Sequence, residues 1–467
     1  MNTFGLGNCV YKILREIRIN NKLTFQPAAI FAINIPSRDY KFFLTNNHIL
    51  DEEFIAHEKK LTIYTSFNDK IIIDLEINRF KFTDKELDFT IVEIVPEDNI
   101  TNFLEIDDYI KSKDYTNEDI IILHYPDGKN LESLEGKITK KKNIYFEYTV
   151  DNSETKSGAP LIAKYNLKLL GLFKENHKKK KHTFTDYAVP IDMILGKLNF
   201  MKCTFNIAKK NIGTKIQILN NGFIDEGNFY KHNNEIENKI DILVEGGLRT
   251  NIFTYQFFKE GKHNVYLIQK KGISDMSHMF NQCQFLEEVN LSYFKTADVT
   301  DMRNLFCDCS SLKKINFAFF NTENVINMSN MFIGCTSLKT LDLSNFQTEN
   351  VTNMSYMFSG CTSLKEINLS SFDTNSVSDM SYMFAYCNSL KTVDLSSFNT
   401  NKVNKMNDLF RYSTSLTKIN LTSFNSEKTK HLEDMFFGVP STCKIICDDI
   451  KIRENFPRPA CFGCSIF

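Results

Sequence analysis

The chain has 467 residues, of which 42% are apolar and 24% charged, and its formal net charge is −1. This is the balance of soluble globular domains, two to four of them at this length, and it argues against a dedicated basic surface for nucleic acid. No apolar run approaches the roughly 18 residues of a membrane span, and the start, MNTFGLGNCVYKILREIRINNKL, lacks the ordered regions of a secretory signal. The expected location is therefore the cytoplasm. The twelve cysteines are then expected as reduced thiols. Cys443 and Cys447 have no second ligand pair at finger-like spacing, so neither metal nor cofactor is expected.

Residues 1–200 hold short β-like runs, among them "AAIFAINI", "YKFFLTNN", "KLTIYTSF", "DFTIVEIV", "DIIILHY", "NIYFEYTV" and "APLIAKY". Gly, Asn, Asp and Pro turns separate them, which predicts an all-β domain of barrel type, closed by a helix at "IDMILGKLNF". Three polar residues stand at strand ends. "FFLTNNHIL" places His48 just after a strand, "ELDFTIVEI" places Asp88 at the start of one, and "TKSGAPLI" places Ser157 before another. A serine becomes a competent nucleophile when a base lies in hydrogen-bond reach and a third group orients that base. The order His, Asp, Ser along the chain fits one known arrangement of such a triad.

On these motifs the segment of about residues 8–200 resembles a trypsin-like, HtrA-related serine peptidase domain. "LTNNHIL", "LDFTIVEI" and "SGAPL" are similar to that family's histidine, aspartate and serine motifs. "LHYPDGKNLESLEGKI", "LKLLGLF" and "DYAVPI" extend the likeness. The resemblance implies a chymotrypsin-like double barrel and an endopeptidase acting on protein or peptide substrates. It assigns attack to Ser157, proton transfer to His48 and orientation of the imidazole to Asp88. The backbone amides of Thr155 and Ser157 would form the oxyanion hole, although the family nearly always has glycine where Thr155 stands. Threonine tolerates a positive φ poorly. A catalytically degenerate protein serving as a binding scaffold is thus the rival reading, with a surface adhesin as a third. Asp151 is either the base of a pocket for basic side chains or a turn residue. The run "HKKKKH", residues 177–182, reads either as a solvated hairpin tip or as a contact with anionic lipid.

Residues 201–211 read as a linker and 212–272 as a small β cap, with strands at "KIQIL", "KIDILVEG" and "HNVYLIQ". From 273 to 448 the chain repeats itself every 26 residues. Met276, Met302, Met328, Met354, Met380 and Met406 fall in register, as do Phe280, Phe306, Phe332, Phe358, Phe384, Phe410 and Phe436. Cys283, Cys309, Cys335, Cys361 and Cys387 follow the same period until Ser413 breaks it. Segments such as "SLKTLDLSNF" suggest a short strand in each unit, and "NMSYMF", with Met and Phe three or four apart, suggests a short helical turn opposite it. Stacking would bury these side chains in a continuous core.

The M-S-x-M-F-x-x-C-x-S-L-K core resembles BspA-like leucine-rich repeats, implying an α/β leucine-rich-repeat solenoid. Asn290, Asn316, Asp342, Asn368, Asp394 and Asn420 would then line its concave face, either as a surface for a protein partner or as a merely solvated ladder. The last residues, "RPACFGCSIF", read either as a plain flexible tail or as one whose C-a-a-X box would prenylate Cys464, with Cys461 as a palmitate acceptor. Such a tail would hold the protein on the cytosolic face of a membrane. The whole is expected to be a serine endopeptidase whose repeats recruit protein substrates or partners.

Overall fold

A computed structural model describes residues 6–456, except 20–21, 36–39, 77–78, 107–112, 127–129, 143–144, 151–157, 181–182, 221, 225–229, 233, 246 and 251. The chain divides into two compact units, Met1–Leu198 and Asn199–Phe467. Among the described residues no helix is long and apolar enough to cross a membrane.

The first unit begins with β1 (Val10–Ile19), β2 (Lys22–Ile35) and β3 (Tyr40–Thr45). After helix α1 (Glu52–His57) come β4 (Lys60–Tyr64), β5 (Lys70–Asp74), β6 (Lys81–Asp84), β7 (Phe89–Glu93) and β8 (Leu104–Glu105). They form one eight-stranded sheet in the order β5-β4-β1-β2-β3-β7-β6, with β8 parallel to β2. Its central strands are buried on both faces. Ala28, Ile30, Ala32, Phe43 and Val92 belong to one core cluster, while Ala29, Phe31, Ile33, Phe42 and Ile91 are equally buried. Burial on both sides is why "AAIFAINI" and "YKFFLT" are continuous apolar runs and not alternating ones. One ion pair lies inside: Arg79 Nη1 stands 2.8 Å from Asp98, both almost fully enclosed, and also donates to the Glu93 carbonyl.

The second sheet is a closed six-stranded barrel, β10-β11-β14-β13-β12-β9. Its strands are β9 (Asp119–His124), β10 (Glu132–Lys141), β11 (Phe146–Val150), β12 (Pro160–Ala163), β13 (Leu169–Lys180) and β14 (Thr183–Pro190), followed by α2 (Ile191–Lys197). The expectation of a chymotrypsin-like double barrel is therefore corrected. Among the described residues β5 and β6 are the outer edges of the first sheet and do not pair with each other, so that sheet is an open half-barrel, and only the second closes.

The second unit opens on a six-stranded sheet. Its strand Phe200–Ile207 starts one residue before the segment read as a linker, occupies most of it, and pairs with both Gly261–Gln269 and Leu286–Asn290. Ile240–Val244 and Gly247–Thr250 extend one side, and Lys314–Asn316 the other. Helix α3 (Asn234–Lys239) precedes Ile240.

From residue 273 to 448 the described structure contains no helix, which corrects the expected α/β leucine-rich-repeat solenoid. The "NMSYMF" segments are tight turns, each hydrogen-bonded to the next unit. Met302 N–H reaches Asn327 O, Asn304 N–H reaches Ser329 O, and Phe306 N–H reaches Met331 O. Two residues per turn take positive φ, at 304 and 308 in one unit and at 330 and 334 in the next, and a left-handed backbone cannot continue a helix.

Side chains complete the stacking. Rings from Phe280 to Phe436 lie nearly parallel, the first pair with centroids 5.3 Å apart and the last 5.8 Å. The Cys309 thiol donates to Phe280 O, Cys335 to Phe306 O, and Cys361 to Phe332 O. Ser413, which breaks the cysteine series, donates from its hydroxyl to Phe384 O, so the bond persists where the sulfur does not. Burial pushes the Cys361 thiol up to about 12, which suits a core group and not a reactive one. At the far end α4 (Ile450–Glu454) covers the stack, Ile452 buried and Asp449 accepting from Ser426.

Candidate active site

His48 lies three residues beyond β3 and Asp88 one residue before β7; β3 and β7 pair antiparallel, Thr45 opposite Thr90. Sheet register alone thus brings together two side chains forty residues apart. The His48 ring Nδ1 stands 2.8 Å from Asp88 Oδ2 and 3.0 Å from Oδ1, and the His48 backbone amide also donates to Oδ1 at 3.1 Å. The carboxylate is mostly covered, at 16% side-chain exposure, whereas the imidazole is 42% exposed. An aspartate accepting at Nδ1 favours the tautomer with its proton there, which leaves Nε2 as the acceptor. Asp88 has φ 55, a conformation aspartate adopts more readily than most side-chain-bearing residues.

Asn46 was not singled out by sequence reasoning, yet it connects the parts. Its side chain is fully buried. Nδ2 donates to the Asp88 carbonyl at 2.9 Å and to the Phe173 carbonyl of β13 at 2.8 Å. Its Oδ1 accepts the amide of Gly158, the residue after Ser157. One amide group therefore joins the His48 loop, the Asp88 turn, the barrel and the chain leaving Ser157. Gly158 has φ +81, and a Cβ there would stand 1.9 Å from the Ala29 carbonyl. Only glycine fits that approach to β2, which fixes where Gly158 meets the open sheet.

Further bonds hold the β6–β7 turn against the barrel. Lys174 donates to the Glu86 carbonyl at 2.7 Å, and Lys197 of α2 reaches Glu86 at 3.3 Å and Asp84 at 3.5 Å. Thr90 donates to the Leu50 carbonyl, closing the His48 loop from the other side.

The structure thus brings together His48, Asp88 and the residue following Ser157. Ser157 itself, Thr155 and Asp151 lie outside the described residues, as do Cys461 and Cys464. Cys443 and Cys447 are buried, their thiols pushed up by burial, and among the described residues no His, Cys, Asp and Glu side chains cluster as a metal site.

The polar ladder of the repeats has an internal job. The side-chain oxygens of Asn290, Asn316, Asp342, Asn368, Asp394 and Asn420 each accept from the backbone amide two residues on. Such Asx turns reverse the chain after the strand position. The Ser396 hydroxyl and then its amide hold the Asp394 carboxyl below the usual range, and the Ser344 amide and then its hydroxyl do the same for Asp342.

Residues 251–366 and 334–447 match a family described as a Mycoplasma protein of unknown function, DUF285. No curated protein matches the chain. These findings overturn both family resemblances drawn from the motifs. The repeats are similar to DUF285 and not to BspA-like leucine-rich repeats, and the match begins at residue 251, leaving the segment likened to a trypsin-like peptidase without support.

Proposed function

We propose that the first unit is a serine hydrolase that cleaves peptide bonds, with Ser157 as nucleophile, His48 as base and Asp88 as the group that orients it. In this reading Ser157 Oγ attacks the scissile carbonyl as its proton passes to His48 Nε2. The imidazolium is stabilised by Asp88 and returns that proton to the leaving amine. Water then enters by the same route and releases the acyl group from Ser157.

What carries the reading is the buried Asn46 amide, which bonds both the Asp88 turn and the amide of Gly158 next to Ser157. A half-exposed imidazole backed by a covered carboxylate supports it, because a base must be both reachable by substrate and held in orientation. Thr155, in place of a more permissive glycine, favours a second reading in which the unit binds polypeptide without cutting it.

Casein hydrolysis separates the two. The wild-type chain is expected to degrade casein, and Ser157→Ala and His48→Ala are each expected to lower the rate by at least about a thousandfold. A wild-type rate equal to that of Ser157→Ala would leave only the binding reading.

A further inference from the structure

One edge of the open sheet is unpaired and complementary to itself. β5 ends the strand order and pairs only with β4, Lys60 opposite Asp74 and Ile63 opposite Ile71. At the two ends of this pairing Thr65 N–H donates to Asp69 O and Leu75 N–H to Lys59 O. Bonded positions alternate in an antiparallel ladder, so residues 69, 71, 73 and 75 bond β4. The N–H and C=O groups of Lys70, Ile72 and Asp74 therefore point away from the sheet. Among the described residues they have no hydrogen-bond partner.

The side chains follow the same alternation. Ile73 is buried and Ile71 packs on the core, whereas Ile72 is 52% exposed. Asp74 accepts the Glu76 amide at 2.8 Å, but among the described residues neither Lys70 nor Asp74 has an ion-pair partner. The opposite edge of the sheet is different. On β6, Lys81 donates to the Leu75 carbonyl at 3.0 Å and Asp84 stands 3.5 Å from Lys197.

We propose that β5 pairs antiparallel with β5 of a second copy of this chain, with the twofold axis at Ile72. The sequence of the strand, KIIID, selects that occupant and its register. On the axis Ile72 meets the partner's Ile72, and at each end Lys70 meets the partner's Asp74. The three residues so opposed are the ones whose backbone groups point outward, so each pair exchanges both of its hydrogen bonds. A slip of two residues leaves a lysine and an aspartate unmatched. Parallel pairing sets Lys70 against the partner's Lys70, and like charges directly opposite are destabilising. An unpaired edge is a template for another strand, and a contact made by one patch on both subunits closes at two copies. Five residues a side fall short of the roughly 1,600 Å² of a standard interface, so the dimer should form reversibly in the micromolar range. Pairing here does not depend on catalysis in the first unit.

The test is sedimentation velocity of the full chain from about 1 to 300 µM, a range set to span such an equilibrium. The wild-type chain is expected to shift from monomer to dimer across it. Lys70→Asp opposes carboxylates at both ends of the pairing, and Asp74→Lys opposes ammonium groups. Each alone is expected to raise the dimer dissociation constant at least about tenfold. An equimolar mixture of the two restores opposite charges at both ends, and is expected to dimerise like the wild type. Ile72→Lys sets two like charges on the axis from an exposed position, so the melting temperature should hold while the dimer is lost. This variant decides if Asp74→Lys melts early for want of the acceptor of the Glu76 amide. A wild-type chain that stays monomeric throughout, an Ile72→Lys chain that dimerises as the wild type does, or folded charge variants that fail to pair when mixed each overturns the proposal.

Discussion

Asn46 shows at the scale of a single residue how much of the candidate site was hidden in the sequence. His48 and Asp88 were legible because histidine and aspartate at strand ends carry recognisable chemistry. Asn46 sits in the same stretch, "FFLTNNHIL", but an asparagine beside a turn is ordinary, and only burial with three backbone partners distinguishes it. Asn46→Ala should leave two carbonyls and one amide unpaired, each costing about 1–3 kcal/mol when buried. The expected result is a loss of at least about 2 kcal/mol by urea unfolding, together with a fall in casein turnover under conditions where the protein stays folded. Unchanged stability would show that these groups find other partners.

A second residue predicts pH dependence. Burial, and then the nearby Arg303, lower the pKa of His278 from 6.5 to about 4. The unfolded chain therefore binds this proton at higher pH than the folded one. The stability tied to neutral His278 is complete above about pH 6.5 and drains away as the pH falls toward 4. His278→Asn places at φ 60 the residue found at Asn304 and Asn330. That variant should flatten the acid side of the stability curve, measured by thermal melts between pH 7 and pH 4. A curve that keeps its slope would assign the loss to other groups.

Secondary-structure elements were read unevenly. The strands of the first unit were found because apolar runs bounded by Gly, Asn and Pro carry the signal, but whether a sheet closes depends on edge pairing that no local pattern encodes. In the repeats the 26-residue period was plain and the helical turn was wrong. Met and Phe three or four apart suit one face of a helix and equally a tight turn with an inward side. The discriminating signal was Asn304 and Asp308, then Asn330 and Gly334, pairs of residues that accept positive φ, four apart.

A ladder of threonines also holds the repeats together, and no sequence pattern announced it. Thr296, Thr322, Thr374 and Thr400 each donate to a carbonyl of the next unit and accept the amide of that same residue. Thr374→Val keeps the shape and leaves the Asn399 amide and carbonyl without that partner. A loss of about 1–3 kcal/mol is expected, restored by Thr374→Ser, in chemical unfolding of the full chain. A neutral Thr374→Val would mean that ring and thiol stacking alone set the register.

For the molecule as a whole, two compact units carry two kinds of chemistry. Met1–Leu198 holds an open sheet and a closed barrel joined through Asn46, Tyr125 and the Gly158 approach to β2. Asn199–Phe467 holds a sheet that leads into stacked turns whose cores are methionine, phenylalanine and hydrogen-bonded thiols. The match to DUF285 falls on the second unit and names no activity. The catalytic account therefore rests on the first unit alone.

Its most direct test is covalent labelling with a fluorophosphonate, followed by peptide mass mapping of the native protein. The account predicts one adduct, on Ser157, that disappears when the protein is unfolded first and is strongly reduced in His48→Ala. A folded wild-type chain that takes no label at Ser157, or takes it equally with and without the His48 imidazole, would contradict it.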